Sequence, residues 1–183
     1  PRLFETRIDS IPSPGPYLAA DSKRAFAWAS ALPPGRKVGI VWAGNPAHSN
    51  DARRSMPVEA LAPLLAALPD ATFVSLQVGP KAHEAARLGP RVLDPTARLT
   101  DCAETAALLA NIDLVVTVDT AVAHLAAAMG VPVRLMVPHA PDWRWMLDRA
   151  DTPWYGSMSL VRQTRPGDWA SVVDAVAAEL RSL

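Results

Sequence analysis

Short apolar runs alternate with stretches of helical periodicity along most of this chain, and no other feature constrains its fold as tightly. Residues 37–42, 71–76, 91–93, 113–118 and 131–137 read as buried strands. Between and around them, 22–32, 57–68, 81–88, 101–111, 120–129 and 168–181 read as helices, the first capped by Asp21 and the fifth stopped by Gly130. Strands alternating with helices mean βαβ units, and these give a doubly wound, mainly parallel α/β sheet with helices on both faces. One domain over 21–183 is predicted. Residues 1–20 read as a linker or strap, because Pro12, Pro14 and Pro16 fix φ and remove amide donors.

Composition narrows the function classes. The 183 residues are 50% hydrophobic and 20% charged, which is ordinary for a globular domain and argues against disorder. Eighteen Lys and Arg balance 18 Asp and Glu, so electrostatic capture of nucleic acid or an anionic membrane has no support. The one cysteine, Cys102, excludes an internal disulfide and a Cys-cluster zinc site, and reads as an inert small hydrophobe. The longest apolar stretch, 120–133, is broken by His124, Gly130 and Pro132 and is too short to span a bilayer. The start has no signal-peptide apolar core and no Met, so the chain reads as a piece of something longer, expected in the cytoplasm.

Ligands of doubly wound sheets bind outside the carboxyl ends of the strands. The loop after the first strand is long and polar. Gly44 permits close backbone approach, Asn45, His48, Ser49 and Asn50 offer neutral hydrogen bonds, and Arg53 and Arg54 offer charge for phosphate. A solvated loop capping the next helix through Ser55 is the plain structural alternative.

After the fourth strand, Asp119 closes the strand and Thr120 is expected to cap the helix. The first-turn amides of that helix form a ready anion site, and His124 lies four residues on, on the same face. A capped helix with a half-buried histidine among alanines is the alternative. Gln77, after the second strand, is a candidate sugar or base contact, with a simple turn explaining the stretch equally well. Asp142, Trp143 and Arg144, ahead of Trp145, suit a sugar ring or base; core packing under a lid is the alternative.

No G-x-G-x-x-G, P-loop or G-x-S-x-G element follows a strand, and no metal site is visible, so neither a metal nor another cofactor is expected.

The run from Val118 to Pro132, Val-Asp-Thr-Ala-Val-Ala-His-Leu-Ala-Ala-Ala-Met-Gly-Val-Pro, resembles the nucleotide-sugar loop of heptosyltransferase-like glycosyltransferases of family 9. The segments 38–46 and 138–145 look more like the branch found at the C-terminus of bacterial tetratricopeptide-repeat proteins. The resemblance implies the Rossmann-like, donor-binding C-terminal half of a GT-B fold, with a nucleotide-diphosphate sugar as substrate and a glycan or protein as acceptor. It implies diphosphate roles for Asp119, Thr120, Ala121 and His124, and phosphate contacts from Ser49, Asn50 and Arg54. Two departures stand out. Ala121 replaces the motif glycine, and Lys81 falls near the acidic residue that holds the ribose in the family. The family's catalytic base lies on an N-terminal half with no counterpart here.

The sequence thus favours the donor half of a metal-independent, inverting glycosyltransferase, partnered by an N-terminal half or repeat domain of the same protein. A non-catalytic interaction domain that keeps the fold is the alternative, and an unrelated α/β enzyme acting on a phosphorylated metabolite is a third reading.

Overall fold

A computed structural model describes residues 2–13 and 15–182, so Pro1 and Pro14 of the expected strap lie outside the described residues. Asp21 starts α1 (Ser22–Ala31) as expected, its carboxylate accepting from the Arg24 amide at 2.9 Å. There follow β1 (Lys37–Val41), the short α2 (Asp51–Arg54), α3 (Ala62–Ala67), β2 (Thr72–Ser75), β3 (Val92–Leu93), α4 (Cys102–Leu109), β4 (Leu114–Val118), α5 (Ala121–Ala128), β5 (Val133–Val137), β6 (Met158–Arg162) and α6 (Trp169–Arg181).

The six strands form one all-parallel sheet in the order β3-β2-β1-β4-β5-β6. The α/β, doubly wound, Rossmann-like fold expected from the sequence is therefore present. Side-chain alternation divides the core between the two faces. Val38, Ile40, Leu114, Val116 and Val118 pack with residues of α3 and α6 on one side. Val41, Val115, Val133, Leu135 and Val137 pack with α1, α4 and α5 on the other. Strand order reverses between β1 and β4, which are paired from Val38↔Leu114 to Val41↔Thr117. Their carboxyl ends therefore flank the switch-point crevice of the sheet.

Three sequence expectations need correction. The helix expected over 57–68 begins as a 3-10 turn, Val58–Leu61, and becomes α-helical only at Ala62. Pro63 explains the break: it has no amide donor and sits where an α-helix can accept it, in the first turn. The helix expected over 81–88 is a 3-10 helix, Ala82–Leu88. The strand β6 was not foreseen. It is the edge strand beside β5, with alternating burial rather than a continuous apolar run. Cys102 is a free, exposed cysteine at the start of α4.

The proline-rich strap lies against the C-terminal end of α5. The Tyr17 and Leu18 amides donate to the Ala128 carbonyl at 2.8 and 3.1 Å, and Ser13 Oγ donates to the Trp154 carbonyl at 3.2 Å. Gly130 adopts φ +79°, and a Cβ there would lie 2.5 Å from Pro16 Cγ, so both backbone and space demand glycine. No helix among the described residues is long and apolar enough to cross a membrane.

Candidate functional site

The loop after β1 is anchored from β2. The Trp42 and Ala43 amides donate to Gln77 Oε1 at 3.1 and 2.9 Å, while Gln77 Nε2 donates to the Ala43 and Val78 carbonyls at 3.0 and 3.1 Å. Both donors and both acceptor positions of this buried amide are committed to backbone. Gln77 thus clamps one wall of the crevice while lining the first of the cavities described below.

Beyond the clamp the loop closes on itself. The Gly44 amide donates to Ser55 Oγ at 2.9 Å, and Ser55 Oγ donates to Asp51 Oδ1 at 2.9 Å. Asp51 is buried, with Arg54 Nε 3.6 Å away. The Arg54 guanidinium lies flat against Gly44, where a Cβ would fall 2.7 Å from Nη2 and 2.8 Å from Nε. Arg54 Nε is buried and makes no hydrogen bond among the described residues. Asn45 Oδ1 accepts from the Ala47 amide at 2.9 Å and so holds the loop's own turn. Asn50 occupies the N-cap of α2 without a side-chain cap bond. Ser49 is exposed on the turn and lines neither cavity described below.

The other wall is the β4–α5 junction. Thr120 holds the N-cap position with φ −142° and ψ 167°, but its hydroxyl makes no cap bond and instead lies 3.3 Å from Thr117 Oγ1. The expected threonine cap is absent, so among the described residues no side chain satisfies the first-turn amides of α5, and the positive end of the helix is left open. Ala121 is exposed at the first helical position. One turn on, His124 Nε2 lies 3.8 Å from Asp119 Oδ1 and Nδ1 lies 3.1 Å from the Tyr155 hydroxyl. The ring stacks on Trp145 at 5.2 Å. Burial pushes the imidazole below its ordinary value of 6.5, outweighing the opposing pull of Asp119, and Arg144 pushes the same way as burial. The ring is therefore neutral at pH 7.

These walls enclose two adjoining cavities of about 430 and 500 Å³ that share Arg54, Thr120 and Ala121. The first has apolar walls from Leu76, Val78 and Pro80, with Gly44 and Asn45 at its rim. The second is polar, lined by His48, Asn50, Asp119, His124, Asp142 and Arg144. Arg144 is ion-paired with Asp142 at 2.6 Å. The two tryptophans separate: Trp145 is 1% exposed beneath His124, whereas Trp143 is 68% exposed, packs edge-on against Trp154 and lines neither cavity. Among the described residues no three His, Cys, Asp or Glu side chains gather as metal ligands.

The profile of glycosyltransferase family 9 (heptosyltransferase) matches residues 36–136, more than half of the chain. The chain belongs to this family. It is 31% identical to the protein FlbA of Caulobacter vibrioides over 182 residues, which cover 94% of this chain and 30% of that one. Among solved structures, E. coli ADP-heptose LPS heptosyltransferase II aligns with a TM-score of 0.67 at 16% identity, over 95% of this chain and 54% of its own. E. coli heptosyltransferase WaaC, solved with ADP, aligns at 0.61 and 22% identity, over 95% of this chain and 53% of its own. These structures share the fold. The chain spans under a third of FlbA and about half of each heptosyltransferase.

Within this family 9 domain the sequence motifs meet as their strand-end positions imply. Asp119, Thr120, Ala121, His124, Asn50 and Arg54 line one cavity although two distant loops supply them. Sequence reasoning missed Asp51 as the buried partner of Arg54, the clamp function of Gln77 and the contact of Tyr155 with His124. Only Asp51 had a readable signal, its i,i+3 spacing to Arg54.

Proposed function

We propose that this chain binds a nucleotide-diphosphate sugar and serves as the donor half of an inverting, metal-independent glycosyltransferase. The observation that carries this reading is the convergence of Arg54, His124 and the uncapped start of α5 on one cavity at the switch point. In this reading the nucleoside lies in the apolar cavity by Val78 and Pro80. The diphosphate spans Gly44, Asn45 and Ala121, and the sugar extends toward Asp142 and Arg144. Ser49 approaches the phosphates only if its turn closes over the ligand.

The chemistry follows from charge. An acceptor hydroxyl on a glycan or protein attacks the anomeric carbon as the bond to the β-phosphate oxygen breaks, with inversion. Negative charge collects on the departing diphosphate. Arg54, the neutral His124 imidazole and the α5 amides are fixed polar groups aimed at that charge, and they need no metal. The acceptor proton must go to a base outside this chain, on an N-terminal half or a repeat domain of the same protein. Support for a longer parent comes from the share of its relatives that the chain spans.

Ala121 favours a second reading, a non-catalytic domain. Its Cβ stands where the family motif has glycine and where a diphosphate approaches most closely. Calorimetric titration of the chain with UDP, ADP, GDP and CDP, wild type beside His124→Ala, separates the two. The donor reading expects saturable binding of one nucleotide, weakened about tenfold by the substitution. Absence of binding by all four at millimolar concentration favours the second.

A further inference from the structure

His124 is held by three neighbours while one edge stays open to the crevice. Its ring lies on Trp145 with planes 23° apart and meets the Tyr155 ring edge-on at 5.8 Å, so its plane is fixed. Within that plane, Nδ1 faces the Tyr155 hydroxyl at 3.1 Å and Nε2 faces Asp119 Oδ1 at 3.8 Å. A neutral imidazole carries one proton, and the opposite nitrogen is then an acceptor. An ionised carboxylate has no proton to donate. A lone pair on Nε2 would therefore meet the negative charge of Asp119, whereas a proton there is attracted to it. The lone pair belongs on Nδ1, where a hydroxyl can donate to it.

We infer that Tyr155 is a positioning residue: by donating to Nδ1 it locks His124 in the Nε2–H tautomer and so presents a neutral donor to the crevice. The purpose of this lock rests on the donor-binding reading above; the tautomer does not. Burial first, and then the neighbouring Tyr17, push the Tyr155 hydroxyl up to about 12, so it keeps the one proton it can donate throughout the physiological range. The remaining charged groups about the ring, Asp142 and Arg144 from the segment after β5, act on it in opposite directions. Tyr17 belongs to the strap that is hydrogen-bonded to Ala128 at the end of α5, so strap, Tyr155, His124 and Asp119 form one continuous chain of contacts.

The test is two-bond ¹H–¹⁵N correlation spectroscopy of the histidine side chains in the full chain at pH 7.5, wild type beside Tyr155→Phe, with nucleoside diphosphate affinities measured in parallel. The wild-type spectrum should show a protonated Nε2 and a bare Nδ1 for His124. Tyr155→Phe should shift those resonances toward a mixture of tautomers and raise the His124 pKa, because the neutral ring loses a hydrogen bond. It should also weaken binding about three- to tenfold. A protonated Nδ1 in the wild type overturns the inference whether or not the variant folds, and so do unchanged His124 resonances in the variant. A shifted tautomer with unaltered affinity overturns the role in binding. The expected tautomers with no nucleotide bound by either protein sustain the lock and defeat the donor reading instead.

Discussion

Gly44 shows how one missing carbon sets up the site. The Arg54 guanidinium occupies the space a side chain would take, and Asp51 Oδ1 lies 2.5 Å from the same point. Gly44→Ala must displace the guanidinium or the carboxylate, both of them side-chain ends rather than backbone. We predict a fall of a few degrees in melting temperature, against about tenfold weaker nucleotide binding by calorimetry. His124 supplies a pH signature. Its folded pKa lies below the unfolded value of 6.5, so above that value both states are neutral and stability is undiminished. As pH falls through 6.5 toward the folded pKa, the unfolded chain takes up a proton that the folded chain refuses, and stability declines. Urea melts at intervals from pH 7.5 to 5 should show this decline, and His124→Gln should flatten part of it. Asp119, Thr120 and His124 were legible in sequence because strand-end position and i,i+4 spacing are local facts. Tyr155 was not, since its contact with His124 spans 31 residues and leaves no periodicity.

At the scale of elements, caps and edges separate what the sequence specified from what tertiary packing decided. The N-cap of α1 was readable, Asp21 accepting from Arg24 N at 2.9 Å, and Asp101 caps α4 in the same way, accepting from Glu104 N at 2.7 Å. Replacing Asp21 by Ala should cost about 1 kcal/mol in the denaturant unfolding free energy, with no change in nucleotide affinity, because α1 packs on α4, away from the crevice. Thr120 occupies an equivalent N-cap position, yet its hydroxyl faces Thr117, and the local signal for a cap failed where the site lies. The uncapped start is what leaves amides free for a ligand. The edge strand β6 escaped sequence reasoning for a different reason. It pairs on one side only, and its last residue, Arg162, binds the carbonyls of Trp145, Met146 and Arg149 rather than entering the core. Those bonds seat the segment that carries Trp145 beneath His124.

At the scale of the whole molecule, the sheet order fixes where function can reside. β1 and β4 are neighbours whose connections leave toward opposite edges, so their loops are not bridged above the sheet, and the crevice between them stays open. The alternating pattern made this arrangement predictable, because five short, largely apolar runs separated by helical stretches point to a parallel sheet buried on both faces. The depth and division of the crevice were not predictable, since they depend on the Gln77 clamp and on Arg54 folding against Gly44. The most direct test of the account is a crystal structure of this chain with a bound nucleoside diphosphate. We predict the β-phosphate within hydrogen-bonding distance of His124 Nε2, Arg54 and the first amides of α5, with the nucleoside against Val78 and Pro80. A nucleotide bound elsewhere, or a diphosphate seated without contact to α5, would contradict it.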